Sequence, residues 1–134
     1  MIRISFAIPG TPITKKNSSK ILRDRRTGRP FIVPSDQYKK YEQAAATYCP
    51  KLNISSPVNC KYVYYMPTHR RVDLSNLVSA TDDILVAHGT LADDNRDIVA
   101  GHDGSAVFYD KQNPRVEIQI STVNGYEQWK MEEK

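Results

Sequence analysis

The stretch THRRVDLSNLVSATDDILVAHGTLADDNRDIV, Thr68 to Val99, decides how the chain is read. It holds eight acidic or amide side chains around one predicted helix, in a chain whose net charge is +4. Its basic residues stop at Arg71, and the carboxylates then run alone until Arg96. An ordinary surface helix sets its acids three or four residues from Lys or Arg, where opposite charges attract. Asp73 suits an N-cap, and Asn76, three residues on, resembles the polar partner of a capping box. Leu74, Leu77, Val78, Thr81, Ile84, Leu85 and His88 recur at helical spacing and predict a buried stripe. Gly89 suits the left-handed stop just past the end. Ser75, Asn76, Ser79, Asp82 and Asp83 then fall on the other side, where Asp82 reads as merely solvated.

Outward from this helix the period changes from helical to strand-like. VNCKYVYYM, Val58 to Met66, is rich in β-branched and aromatic residues and reads as a strand that Pro67 ends. After the helix, Asp97 to Asp110 fits one strand with a break at Gly101 to Gly104, and RVEIQIS puts Val116, Ile118 and Ile120 on one face. IRISFAI, Ile2 to Ile8, alternates as a half-buried strand, and ILRDRRTGRPFIV reads as a hairpin turning near Thr27 and Gly28. Ser35 caps a second helix that runs to Pro50, with Tyr38, Tyr41, Ala45 and Tyr48 as its core face. The order of elements predicts an α/β (α+β) fold: a mixed β-sheet flanked by two α-helices on one face, in a single domain over residues 1–134. The tail 122–134 carries weak signals and reads as loosely packed.

At 134 residues, 40% of them apolar and 25% charged, the chain can bury one core and is not composed like a disordered segment. No apolar run approaches a membrane span, and Arg3 interrupts the start too early for a secretory leader, so a cytoplasmic protein is expected. Cys49 and Cys60 lack metal-ligand spacing and read as reduced and half-buried. His69, His88 and His102 do not cluster, and His88, on the apolar stripe, reads as a satisfied core or capping histidine.

The charge is unevenly placed. Eight basic residues and only Asp24 among acids lie between Met1 and Arg29, and His69–Arg70–Arg71 forms a second basic knot. Lysine and arginine gathered this way suit a polyanion, since each phosphate contact releases condensed counterions. A bland reading exists for the acids: an Asp at a helix start is usually a cap, and a DD pair in a loop is usually turn chemistry. If the returning strand instead brings Asp94 towards Asp73, two carboxylates beside a helix start suit Mg²⁺, which takes one or two carboxylates and fills its shell with water and phosphate.

The wording of the stretch favours the second reading. RRVDLSNLVSATDDILVAHGTLADDNRDIV resembles the signature of the RusA family of Holliday junction resolvases. That pattern is basic residues, D-L-D-N-L, a lysine shortly after, a helix closing near Gly, and D-D before a strand. IPGTPITKKN and NPRVEIQI resemble its flanks, so the likeness spans roughly Ile4 to Ile120. The resemblance implies a RusA-like fold and a homodimer that resolves four-way or other branched DNA by paired nicks, using Mg²⁺ or Mn²⁺. It implies that Asp73 and Asp94 are catalytic and bind the metal, with Asp93 as a further acid, while Asn76 matches the motif asparagine and Asp83 a mid-helix acid. Ser75 and Ser79 depart from it: the pattern has an aspartate and a lysine there. Asp93, Asp97 or Asp103 can supply the missing charge, and Lys15, Lys16 or Arg71 the missing cation. Lys15, Lys16, Lys20, Arg23, Arg25, Arg26, Arg70 and Arg71 are the expected DNA contacts. The alternative is a branched-DNA-binding protein of the same fold with weak or no cleavage, and more distantly an interaction domain whose acids are simply solvated.

Overall fold

Tyr62 and Tyr64 organise the domain, because the strand that carries them lies in the middle of the sheet and both side chains are buried. The computed structural model describes residues 2–15 and 19–123. Strand β4 (Val58–Met66) buries Val58, Cys60, Tyr62 and Tyr64 at alternate positions, the period of 2 that a pleated strand imposes. Of the other strands in sequence order, β1 is Arg3–Pro9, β2 Ser19–Arg23, β3 Pro30–Pro34, β5 Val99–Gly101, β6 Ala106–Tyr109 and β7 Arg115–Thr122. The sheet runs β1-β7-β4 antiparallel, and β5 and β6 both pair with β4 in parallel, β5 near its start and β6 near its end. The break expected at Gly101 to Gly104 is what divides β5 from β6.

A parallel pair needs a crossover, and α2 (Leu74–Ala87) supplies it between β4 and β5. Leu77, Ala80, Thr81, Ile84 and Leu85 are buried along it. Gly89 ends it at φ 82°, with Thr90 N–H donating to Leu85 O at 2.9 Å. The chain then passes Ile54, where Leu91 forms a parallel bridge, before entering β5. The other helix, α1 (Asp36–Ala45), is capped by Ser35, whose side chain accepts from Tyr38 N–H, and continues as a 3-10 turn over Ala46–Tyr48. Tyr38 and Ala45 share the core with the α2 stripe, and the α2 C-cap His88 lies 2.7 Å through Nε2 from Glu42 O on α1. Both helices thus cover the same face of the sheet, the arrangement read from the sequence.

Three expectations about burial are corrected. Tyr48 is 47% exposed, because the 3-10 turn that ends α1 breaks the helical period on which it was placed in the core. Leu74 is also exposed, being the first residue of α2, where the buried stripe has not yet begun. Cys49 and Cys60 are free as expected but fully buried, and burial pushes the Cys60 thiol up to about 12, far from reactive thiolate. Strands β2 and β3 form a separate two-stranded sheet with Ile21, Leu22, Phe31 and Ile32 exposed. The loosely packed tail expected after residue 122 falls, from residue 124 onward, outside the described residues.

Candidate functional site

Asp73 sits where a cap should be, yet its side chain makes no capping hydrogen bond. Its extended backbone does let its carbonyl take Asn76 N–H and Leu77 N–H, so the helix starts there. The carboxylate takes instead the Asn76 amide at 3.4 Å. An exposed acid at a helix start that is not used for capping is available for other chemistry, and the bland reading of Asp73 weakens accordingly.

Ser75 and Ser79 are exposed on the same outer side of α2, and Asp83 stands one turn beyond Ser79. Lys15, on the loop after β1, places its ammonium 3.2 Å from Asp83 and 5.6 Å over the Tyr38 ring. A lysine from a distant segment therefore reaches the helix face where the family pattern would grow one from Ser79. Asp93 is occupied by its own turn: it accepts from Asp94 N–H at 2.7 Å and from the Asn95 amide at 3.3 Å. Partial desolvation raises the Asp94 carboxyl, and its hydrogen bond with Asp93 and the fields of Asp83 and Asp82 push the same way. The acids that Asp94 feels are thus on the second half of α2; Asp83 is ten residues past Asp73, roughly 15 Å along the axis. Asp73 and Asp94 share no hydrogen bond among the described residues. Among those residues, too, no three His, Cys, Asp or Glu side chains group as a metal cage.

Asp82 is the main correction. Its helical angle groups it with the solvated acids, but it is only 9% exposed. Its carboxylate accepts from Tyr62 Oη at 2.6 Å and lies 3.0 Å from His102 Nε2. His102 Nδ1 lies 2.8 Å from Cys60 O. A carbonyl and a carboxylate only accept, so both ring nitrogens donate and His102 is held as an imidazolium. Burial lowers the His102 pKa, but the hydrogen bond and charge of Asp82, with the Cys60 carbonyl, outweigh it and the net shift is upward. A histidine raised on folding stabilises fully below its unfolded value of about 6.5 and loses that contribution as pH rises through the folded one. Thermal melts should therefore show a higher Tm near pH 6 than near pH 8.5, and His102→Gln should flatten that slope; an unchanged slope would remove the imidazolium.

Arg25, Arg26, Arg70 and Arg71 are exposed and form no salt bridge among the described residues. At the β2–β3 tip the local acid is spent internally, since Asp24 accepts from Arg26 N–H and Thr27 N–H. Arg23 donates to Gly28 O within the same turn. Lys16, and the side chain of Lys20, lie outside what the structure describes.

The domain is a mixed α+β fold with acids along one helix and exposed arginines before it and on the β2–β3 hairpin. More closely, the chain belongs to the RusA endodeoxyribonuclease family: it matches the description Endodeoxyribonuclease RusA over residues 9–121. No curated protein matches it. Among the described residues no helix is long and apolar enough to cross a membrane.

Proposed function

We propose that this endodeoxyribonuclease resolves four-way or other branched DNA junctions with Mg²⁺ or Mn²⁺ at the acids beside α2, Asp73 at the start of the helix and Asp94 by its second half. The observation that carries the reading is Lys15 on Asp83, which returns a cation to a helix that has serine at the family's lysine position. The donor set suits a hard divalent ion. It is all carboxylate, one member is left out of capping, and another has its carboxyl raised partly by neighbouring negative charge that a cation relieves. Such an ion, when bound, neutralises charge on a phosphate and lowers the pKa of a water nearby. Asp73 and Asp94 would contribute carboxylates to such a centre, and Asp93 keeps Asp94 in place by holding its backbone N–H. Asn76 fixes the Asp73 carboxylate. The Lys15 ammonium, paired with Asp83, would be the cation that offsets charge developing on a phosphate bound at this part of the helix. Arg23, Arg25 and Arg26 on the hairpin, and Arg70 and Arg71 before α2, grip flanking phosphates together with Lys16 and Lys20.

A homodimer completes the proposal. A four-way junction has two-fold symmetry, so an isologous pair presents two equivalent sites for paired nicks. The exposed apolar residues of the β2–β3 arm offer surface for such pairing, because a two-stranded hairpin is marginal alone in water. A cytoplasmic location, in a bacterium or encoded by its phage, is consistent with DNA as substrate.

The direct test is a labelled four-way junction incubated with the protein, with and without Mn²⁺ or Mg²⁺, and mapped for symmetric nicks. Lys15→Ala is expected to slow nicking by roughly 10²-fold, in the range of losing one preorganised charge, while Lys15→Arg recovers part of it. Equal rates for wild type and Lys15→Ala would leave Lys15 as a surface ion pair only.

A further inference from the structure

Two aromatic rings, one of them on the segment that leads into α2, serve no part of the chemistry above. His69 lies flat against Tyr109, with ring centroids 3.9 Å apart and planes 24° apart. Tyr109 is 45% exposed, and His69 is exposed as well. Neither side chain makes a hydrogen bond among the described residues, so their polar atoms are uncommitted. The backbone beneath them is fixed: Tyr109 pairs with Met66 across β6 and β4, and Asp110 N–H donates to Met66 O at 2.9 Å.

Position makes the pair significant. His69 precedes Asp73 by four residues, so no more than about 14 Å of extended chain separates them. A bound strand rises about 3.4 Å per nucleotide, which puts the rings within four nucleotides of a phosphate at Asp73. Arg70 and Arg71 come next in the chain, exposed and without a carboxylate partner among the described residues. Flat aromatic surface flanked by free cations is what a single nucleotide strand needs: phosphates take the arginines and a base face takes the ring. A base inside a duplex already has both faces covered, whereas a base at a branch point gives up little to leave the stack.

We propose that the His69–Tyr109 pair is a stacking platform for an unpaired nucleobase of the strand whose phosphate lies at Asp73, and that it contributes selectivity for branched over linear DNA. The proposal rests on the reading above in one respect, that DNA approaches the start of α2. Its chemistry is sequence-tolerant, because every base has a π face, so it selects for DNA structure and not for a motif.

The experiment uses the full chain and DNA carrying 2-aminopurine, an adenine analogue whose fluorescence is quenched on stacking. The probe is placed at the branch point of a four-way junction and, separately, in a single strand. Wild type should quench both, and Tyr109→Ala should remove the quench while losing about tenfold in junction affinity. Duplex affinity should be unchanged, and Tyr109→Trp and Tyr109→Phe should keep quench and affinity. The Tyr109→Phe variant, with its melting temperature, separates loss of the ring from loss of the fold. Quenching by wild type and Tyr109→Ala alike would overturn the platform, as would no quenching by either. Equal loss by Tyr109→Ala on junction and duplex, or failure of Tyr109→Trp to rescue, would reduce the pair to a loop anchor. A protein that nicks no junction yet quenches through Tyr109 keeps the platform and removes the nuclease reading, so the two fail separately.

Discussion

Asp73→Asn should abolish junction nicking, by roughly 10²–10³-fold or more, while leaving junction binding within about threefold and the melting temperature where it was. The separation follows from the local structure. Asparagine is as good an N-cap as aspartate, and the Asp73 side chain is not used for capping in any case, so α2 loses nothing by the change. Among the described residues the side-chain contact altered is the one from the Asn76 amide, which an asparagine oxygen accepts equally well. What disappears is one negative charge on the face that also carries Asp83. Rate and binding, measured on one four-way junction in Mn²⁺, give the answer, and unchanged nicking would sink the site assignment. Ser75→Asp supplies the reverse comparison: if the native protein binds but does not cut, and this variant cuts, the chain is a junction-binding member of a nuclease family. Nicking by the native protein makes Ser75 compatible with catalysis, its missing charge supplied from elsewhere.

The elements were legible in the sequence because each carries a local period or stop signal. The 2-residue period of β4, the apolar stripe of α2 and the glycine at its end name their structures within a few residues of themselves. The hairpin turn at Thr27 and Gly28 is equally local, and so is the break that separates β5 from β6. What local pattern does not carry is the partner of a polar side chain. Asp82 lies on the polar side by helical angle, but Tyr62 and His102 each lie twenty residues away and meet it only across the sheet. Lys15 is one of eight basic residues in its region, and nothing near it names Asp83, sixty-eight positions on, as its contact. The same limit explains Tyr48: the helical period is right, but the tightening to a 3-10 turn depends on packing beyond the segment. The acids are visible as a group in the sequence, while the division of labour among them, with Asp82 structural and Asp93 holding a turn, depends on contacts between distant segments and on turn geometry. One signal could have raised Asp82 earlier: an acid between Thr81 and Asp83, at the margin of the stripe, facing a strand rich in tyrosine.

Asp82→Ala should cost about 3–5 kcal/mol, enough to lower Tm by roughly 10–20 °C for a domain of this size. The penalty comes less from attraction lost than from groups stranded. Tyr62 Oη, 2.6 Å from the carboxylate, and the His102 imidazolium, 3.0 Å away, would both keep their places in the core wall without an acceptor. Without Asp82, burial of His102 is opposed only by the Cys60 carbonyl, so its raised pKa falls and the ring can give up the Nε2 proton. The pH slope of stability should then vanish in Asp82→Ala as it does in His102→Gln. Asp82→Asn keeps an oxygen for Tyr62 and should lose about half as much. A triple change, Asp82→Leu with His102→Leu and Tyr62→Phe, removes every member at once and should recover most of the stability, since an apolar set of similar volume replaces a buried pair at little cost. The recovery matters for function. Tyr62 is on β4 and Asp82 on α2, one residue from Asp83, so this network sets the height of α2 over the sheet and with it the position of Asp73 and of the Asp83 that receives Lys15. If the triple variant regains Tm but not nicking, the network is retained for the register of α2 and not for the strength of the fold; if both return, ordinary packing suffices to place the acids. Differential melting and junction nicking on the same four proteins distinguish these, and an Asp82→Ala protein as stable as wild type would show that the network carries neither role.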